Sequence, residues 1–207
     1  MQADVRRTRT RPSFTEQARR AQIIAAAIDT IAEHGYPKAS FARIAERAGL
    51  SSTGLISYHF KARKNLDWAI VEEVLGRLSN HMHAAMDGAD DPQRALVAYI
   101  EGLIGFMKVD PHALQAMMSI FLHGGFEYGA QEEREATSGI ADILRRGQAE
   151  GVFRDFDIRV MATAIQRALD GIPLAQVTNP DIDLDTWSRE LVELFTLATR
   201  RHDREIG

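Results

Sequence analysis

The chain has 207 residues, no cysteine, 45% hydrophobic residues, and 25 Lys and Arg against 29 Asp and Glu. Disulfide scaffolds and thiolate zinc sites need cysteine, and disordered or collagen-like chains have fewer apolar residues or far more than 15 Gly and 6 Pro, so we expect a soluble globular protein of one or two domains. The net charge of −4 divides into 12 Lys and Arg against 6 Asp and Glu over residues 1–70, and 13 against 23 over residues 71–207, which indicates either a basic end that binds a polyanion or a chance variation in surface charge.

The basic end begins with an arginine-rich stretch, residues 1–13, that lacks apolar periodicity and is predicted to be a disordered arm. The apolar segment 23–32 behind it imitates a secretory leader, but Asp29 interrupts the segment and no small-residue cleavage site follows. Later apolar segments contain polar residues and are shorter than the roughly 20 residues of a membrane span. We therefore expect an intracellular protein that does not bind a membrane.

Apolar residues recur with a helical period along nearly the whole chain, and no segment shows the sustained alternation of a strand, which predicts an all-α protein. Gly35 is expected to end the first helix and Ser40 to cap the second, while Ser51 or Ser52 caps the third. The predicted helices cover about residues 15–34, 41–48, 52–59, 63–86, 92–109, 111–123, 132–151, 157–176 and 185–202.

The second and third helices are short and joined by the sequence AGLS at 48–51, which is the layout of a helix-turn-helix. Gly49 can adopt the positive φ of a tight turn, and Leu50 is expected to fill the angle between the helices. The long fourth helix can connect this unit to a second body. The predicted division is a disordered basic arm over 1–13, a three-helix DNA-binding domain over 14–62 and a helical domain over 63–207.

Many spaced positions in the first third of the chain agree at once with one pattern: Ile23-Ile24, Ala26-Ala27, Gly35-Tyr36, Ala39-Ser40, Ile44-Ala45, Ala48-Gly49-Leu50-Ser51, Gly54, His59-Phe60, Arg63 and Leu66. On these residues the chain resembles the tetracycline-repressor (TetR) family of bacterial transcription regulators. Two departures concern the third helix, which would be the recognition helix by this resemblance, and the turn before it. Gly49 and Gly54 are five residues apart where the family usually has four, and Ser57, with Tyr58 beside it, takes the place of a common tyrosine.

The resemblance implies contacts to double-stranded DNA from the second and third helices and from the turn beyond them. Ser40 and Arg43 would reach phosphates, and His59 would either clamp the backbone or pack against the first helix. Tyr58 would face the groove or be partly buried, and the arginine-rich arm would lie in the minor groove or remain solvated. The complete predicted DNA-binding set is Ser40, Arg43, Ser51, Ser52, Thr53, Gly54, Ser57, Tyr58, His59, Lys61 and Lys64.

The remaining helices would, by the same resemblance, bind a small-molecule effector. Met and Phe side chains suit a cavity for an apolar or aromatic molecule, although the same stripe suits an ordinary core. A buried Asp170 would favour a cationic or hydrogen-bond-donating ligand. The candidate ligand-binding residues are Phe106, Met107, Leu114, Met117, Met118, Phe121, Phe126 and Asp170.

The last two helices would form a four-helix bundle with those of a second copy, as in the family. Their apolar stripes allow this, but each stripe could instead belong to the core of a single chain. A symmetric homodimer predicts a palindromic operator. The candidate dimer residues are Met161, Ile165, Leu169, Leu191, Leu194, Phe195 and Ala198.

These inferences point to a ligand-responsive transcription regulator of the bacterial cytoplasm that joins the nucleoid when bound to DNA, with repression as the commoner family role and the 63–86 helix as the lever moved by the effector. The alternative is a non-inducible DNA-binding dimer whose second domain serves only assembly or partner recruitment. An enzyme is disfavoured because no nucleophile elbow, zinc-protease motif, P-loop or Rossmann glycine pattern occurs. His81 and His83 diverge on a helix, so no metal and no cofactor are expected.

Overall fold

The computed structural model describes residues 13–124 and 129–201. Within these ranges the chain forms nine α-helices and one short 3-10 turn, with no named strand, as the periodicity predicts. Apart from Ser13, the predicted arm lies outside the described residues. The helices are α1 (Phe14–His34), α2 (Phe41–Arg47), α3 (Gly54–Phe60), α4 (Arg63–Met86), α5 (Pro92–Val109), α6 (Pro111–His123), α7 (Ala130–Ala149), α8 (Ile158–Thr178) and α9 (Leu184–Thr199), and the 3-10 turn is Tyr36–Lys38.

Local chemistry explains most of the helix ends. Gly35 ends α1 at φ 77°, and the Ser40 hydroxyl accepts a hydrogen bond from the Arg43 N–H at 3.3 Å, so both predicted boundaries are confirmed. The cap predicted for α3 is wrong. The helix begins at Gly54 behind Thr53, whose side chain makes no cap hydrogen bond. Gly49 and Gly54 are one residue further apart than is usual in the family that the chain resembles, and this extra residue therefore lies in the turn before α3 and not in the helix.

One apolar cluster runs from the first helix to the last. Helix α1 contacts α2, α4 and α6, so its isoleucines are buried on more than one side. Helix α4 buries only its first half, from Leu66 to Val74. Helices α7 and α8 pair with one another, and α9 packs on α5. Helix α2 packs on α1 and helix α3 packs on α4, so both short helices are held against the longer ones.

The end of α7 and the segment that follows it approach each other closely. Gly147 on α7 lies against Phe153, and a Cβ on this glycine would lie 2.0 Å from Phe153 Cδ2. The Gly147 carbonyl also accepts the N–H groups of Val152 and Phe153 at 2.9 and 3.0 Å. Only a glycine fits at this position. No helix in the described ranges is long and apolar enough to cross a bilayer.

Candidate nucleic-acid interface

The turn between α2 and α3 is built as a tight corner. Gly49 has φ 62°, and the Leu50 N–H returns to the Ala45 carbonyl at 2.8 Å. Ile44 and Ile56, one from each helix, are completely buried. These contacts hold α3 with one face in the core and the opposite face in solvent.

The outer face of α3 and of the turn before it carries small and hydroxyl-bearing residues. Tyr58 is 71% exposed, so its ring is not buried. His59 is half-buried, and its ring packs edge-on against Tyr58 with centroids 5.2 Å apart. A face of this composition can approach base edges closely and donate hydrogen bonds to them. The predicted groove-facing residues that the structure leaves exposed are Ser51, Ser52, Thr53, Gly54, Ser57 and Tyr58.

The predicted phosphate contacts flank this face. Arg43, Lys61 and Lys64 are all exposed. Lys61 has φ 56°, and no other non-glycine residue in the described part of the chain has a positive φ. Lys61 directly follows the last residue of α3, where a positive φ commonly ends a helix. The Ser40 hydroxyl is exposed and accepts from the Arg43 N–H as the cap of α2, so its O–H proton remains to be donated to a phosphate, whereas its backbone N–H already donates to the Lys38 carbonyl at 3.0 Å.

A cleft of about 390 Å³ beside the end of α3 was not predicted from the sequence. The Arg20 guanidinium lies 4.4 Å from the centre of the Phe60 ring, and its Nη1 donates to the His59 carbonyl at 3.5 Å. Arg20, His59 and Lys61 bring cationic or protonatable groups to one opening, which suits a DNA phosphate. The lining residues are Arg20, His59, Phe60, Lys61, Asn65, Trp68, Ala69 and Glu72.

An ion pair within α4, between Arg63 and the buried Asp67, links this helix to the segment after α1. Asp67 is 1% exposed, and its carboxylate accepts from Arg63 Nε at 2.9 Å and from the Tyr36 hydroxyl at 2.8 Å. Arg63 also lies over the Tyr36 ring, 4.4 Å from its centre, and donates to the Ala39 carbonyl. Burial, together with the Asp67 carboxylate, raises the pKa of Tyr36. Arg63 therefore faces the protein interior and holds the segment from Tyr36 to Ala39 against α4, whereas Lys64 beside it faces solvent.

The predicted effector-binding residues are distributed between the core and its boundary. Three of them are half-buried on α6, namely Met117, Met118 and Phe121. Phe126 lies outside the described residues. The fully buried members, which pack within the apolar cluster, are Phe106, Met107 and Leu114.

Asp170 is half-buried in a polar chain that links α5 to α8. The Tyr99 hydroxyl donates to Gln166 Oε1, and Gln166 Nε2 donates to Asp170 Oδ1, both at 2.8 Å. Arg167 lies 3.0 Å from the other carboxylate oxygen, and it also pairs with Glu133 of α7. Burial raises the pKa of Asp170, and it raises the pKa of Tyr99 to about 12.

The predicted dimer residues fall on two faces of α8 and α9. Ile165, Leu169 and Phe195 are buried in the core of this chain, so a partner could touch only their neighbours. Met161, Leu191 and Ala198 are half-buried, and Leu194 is 54% exposed. Sequence periodicity did not separate the inner stripe from the outer one. The exposed large apolar residues of the two helices are Val160, Leu174, Val177, Trp187, Leu194 and Leu197.

Comparisons with known proteins agree with this geometry. Residues 23–66 match the family described as bacterial regulatory proteins, tetR family. The HTH-type transcriptional regulator BetI of Klebsiella pneumoniae (strain 342) is 30% identical over 169 residues, which cover 75% of this chain and 85% of that protein. A bacterial regulatory protein in the tetR family from Rhodococcus RHA1 has the same fold, with TM-score 0.75, 21% identity and coverage of 89% of this chain and 98% of that one. The fatty acid degradation regulator FadR from Bacillus halodurans gives TM-score 0.71 at 22% identity, covering 88% and 97%.

Proposed function

Because this chain belongs to the TetR family of DNA-binding transcription regulators, we propose that it acts as a repressor, binds a palindromic operator as a homodimer, and is released from DNA by a small apolar or aromatic effector. The observation that carries the proposal is the solvent-facing polar side of α3, which the tight turn after α2 and the buried Ile44 and Ile56 on either side of it hold in place. The head over 14–62 would read DNA, and the body over 63–207 would bind the effector and the second copy.

In this proposal α3 enters the major groove. Thr53, Ser57 and Tyr58 contact base edges or nearby phosphates, and Lys61 and Lys64 bind the backbone beyond. The cleft beside the end of α3 adds Arg20 to the groups that can hold a phosphate. The contribution of phosphate contacts is sequence-independent and salt-sensitive, while that of α3 is sequence-specific.

The homodimer is supported by the exposed apolar side chains of α8 and α9. Val160, Trp187, Leu194 and Leu197 are each at least 36% exposed, which is a large apolar area to leave in water. Burying it against a second copy would place two heads on one DNA face. A two-fold dimer then requires half-sites about 34–36 Å apart, or a multiple of this distance.

The effector is proposed to bind next to the half-buried Met117, Met118 and Phe121 of α6. Flexible Met and flat Phe side chains can rearrange around an apolar molecule. The Asp170 carboxylate is proposed as the polar contact of the effector, and its oxygens already accept from Gln166 and face Arg167. An effector that uses Asp170 therefore supplies a hydrogen-bond donor, either to a remaining lone pair of the carboxylate or in place of one of these partners.

The second candidate function, a non-inducible DNA-binding dimer, is favoured by the burial of Phe106, Met107 and Leu114 at 2–6% exposure within the core. A thermal-shift screen with small hydrophobic compounds separates the two candidates. A ligand present at 100 times its Kd stabilises the protein by about 2.7 kcal/mol. No shift across a broad screen would favour the non-inducible dimer.

DNA binding itself is tested by selecting bound duplexes from random sequence. We expect enrichment of a palindrome with the stated half-site spacing, and no enrichment would refute the proposal. On the selected operator, Ser57→Ala and Tyr58→Phe show which hydroxyl makes the contact. Loss of one hydrogen bond weakens binding about 2- to 13-fold. Ser138→Ala is the matched control, because Ser138 is an exposed serine whose hydroxyl bonds to Glu135 within α7.

A further inference from the structure

Helix α6 packs along α1 and makes two polar contacts with the head, neither of which uses a residue on the DNA-facing side. Near the start of α6, His112 Nδ1 donates to Asp29 Oδ1 on α1 at 2.8 Å. Two turns later, the Ser119 hydroxyl accepts the backbone N–H of Tyr36 at 3.1 Å. The seven-residue interval places both side chains on one face of α6, the face toward the head. Each contact is the first step of a relay of polar contacts that continues into the head.

The first relay leads to the carboxyl end of α2. The second carboxylate oxygen of Asp29 lies 3.7 Å from Arg47 Nη1, and Arg47 also pairs with Glu33 on α1. Arg47 is the last residue of α2 and precedes the turn to α3. His112 is therefore connected, through one carboxylate, to the end of α2 that leads into the recognition helix.

The second relay leads to the amino end of α2. The Tyr36 hydroxyl donates to Asp67, which also accepts from Arg63, and Arg63 donates to the Ala39 carbonyl. Ala39 directly precedes Ser40, the N-cap of α2. Ser119 is therefore connected, through the buried ion pair, to the opposite end of the same seven-residue helix.

We infer that His112 and Ser119 are positioning residues for DNA binding, although neither is placed to touch DNA. The inference rests on the proposed function. Helix α2 packs on α1 through its buried residues, and Gln22 of α1 donates to the Ala48 carbonyl at 2.6 Å. The two relays add one polar contact at each end of α2, and these contacts restrain its direction on α1 and, through the short turn, the direction of α3. Loss of either relay admits orientations of the head that do not dock. The apparent dissociation constant rises in inverse proportion to the docking-competent fraction.

The test measures operator affinity for His112→Ala and Ser119→Ala, using the full chain and the duplex obtained by selection. Each substitution removes one hydrogen bond and is expected to weaken binding about 2- to 13-fold. The salt dependence should not change, because no phosphate contact is lost. His123→Ala is the matched control on α6, since its ring bonds to the Ser119 carbonyl of the same helix. Its affinity should stay within about 2-fold of the parent.

Amide exchange in the free protein tests the positioning role without DNA. Ser119→Ala should accelerate exchange over residues 36–41 and His112→Ala over residues 44–48, while residues 140–147 of α7 keep the parental rates. If selection enriches no DNA sequence, the proposed function fails, and the exchange experiment alone decides the positioning role.

Three results would overturn the inference: unchanged affinity and exchange in both variants, tighter operator binding, or a reduced salt dependence that would reveal direct phosphate contacts. Asp29→Ala and Tyr36→Phe break the same relays at their second contact. If His112→Ala does not fold, Asp29→Ala is tested in its place, and Tyr36→Phe likewise replaces Ser119→Ala. The same loss of operator affinity is expected.

Discussion

Removing the Asp67 carboxylate should destabilise the chain more than removing an exposed carboxylate. Asp67 is 1% exposed and holds two donors, while the side chain of its partner Arg63 is 27% exposed. Breaking a buried pair from one side costs about 3–5 kcal/mol, because the remaining charge is left without compensation. The partial exposure of Arg63 places Asp67→Ala near the lower value, about 3 kcal/mol. At about 2–4 °C per kcal/mol for a chain of this size, the midpoint of thermal unfolding should fall by about 6–12 °C.

The assay is thermal and urea unfolding at constant protein concentration, since association would shift both midpoints. Asp67→Asn keeps one acceptor oxygen and should cost about 1.5 kcal/mol, the net value of a hydrogen bond to a charged group. Asp142→Ala is the control, because Asp142 is 72% exposed in its pair with Arg145 and such pairs contribute about 0–1 kcal/mol. Equal losses for Asp67→Ala and Asp142→Ala would refute the reasoning. So would strictly additive losses in an Arg63→Ala/Asp67→Ala double variant, because paired groups must couple.

Three further outcomes follow from named contacts. Gly147→Ala should destabilise the fold by about 1–3 kcal/mol in urea unfolding, because its Cβ would collide with Phe153, and an unchanged midpoint would contradict that geometry. Operator affinity should fall about 10³- to 10⁵-fold between 50 and 200 mM salt, and Lys64→Ala should lower the slope by about 1 per protomer; a flat salt profile would contradict DNA binding. Because burial raises the pKa of Asp170, stability held by its protonated form is lost as the pH rises above the ordinary value of 3.8, so Asp170→Asn should flatten this decline in a pH series of unfolding measurements. A steeper decline in that variant would mean that the contact of Asp170 with Arg167 outweighs its burial.

Local signals in the sequence were sufficient to predict where most of the helices lie and where they end. Gly35 and Ser40 act through their own backbone and nearest neighbours, so their roles follow from residue type and position alone. The N-cap of α3 was predicted wrongly because three consecutive residues, Ser51 to Thr53, are all acceptable caps. The choice among them depends on how the turn packs, which local sequence does not encode.

The contacts that sequence reasoning missed join residues far apart in the chain. Arg20 reaches the end of α3 across 39 positions, and Ser119 reaches Tyr36 across 83. Helical periodicity gives the apolar face of each helix but not the helix that will cover it. For the same reason Ile165 and Leu169 were placed in a dimer interface, whereas they pack within their own chain.

The energies of the head contacts bear on how an effector could act. A typical allosteric coupling is about 1–3 kcal/mol. The two hydrogen bonds from α6, through His112 and Ser119, together amount to about the same free energy, at 0.5–1.5 kcal/mol each. Disrupting the buried pair of Arg63 and Asp67 would cost about 3 kcal/mol or more, which exceeds most of that range. An effector that moves α4 as a lever is therefore expected to leave this pair intact and to carry Tyr36 with it, and the two hydrogen bonds from α6 are the polar contacts of the head whose free energy matches a coupling of this size.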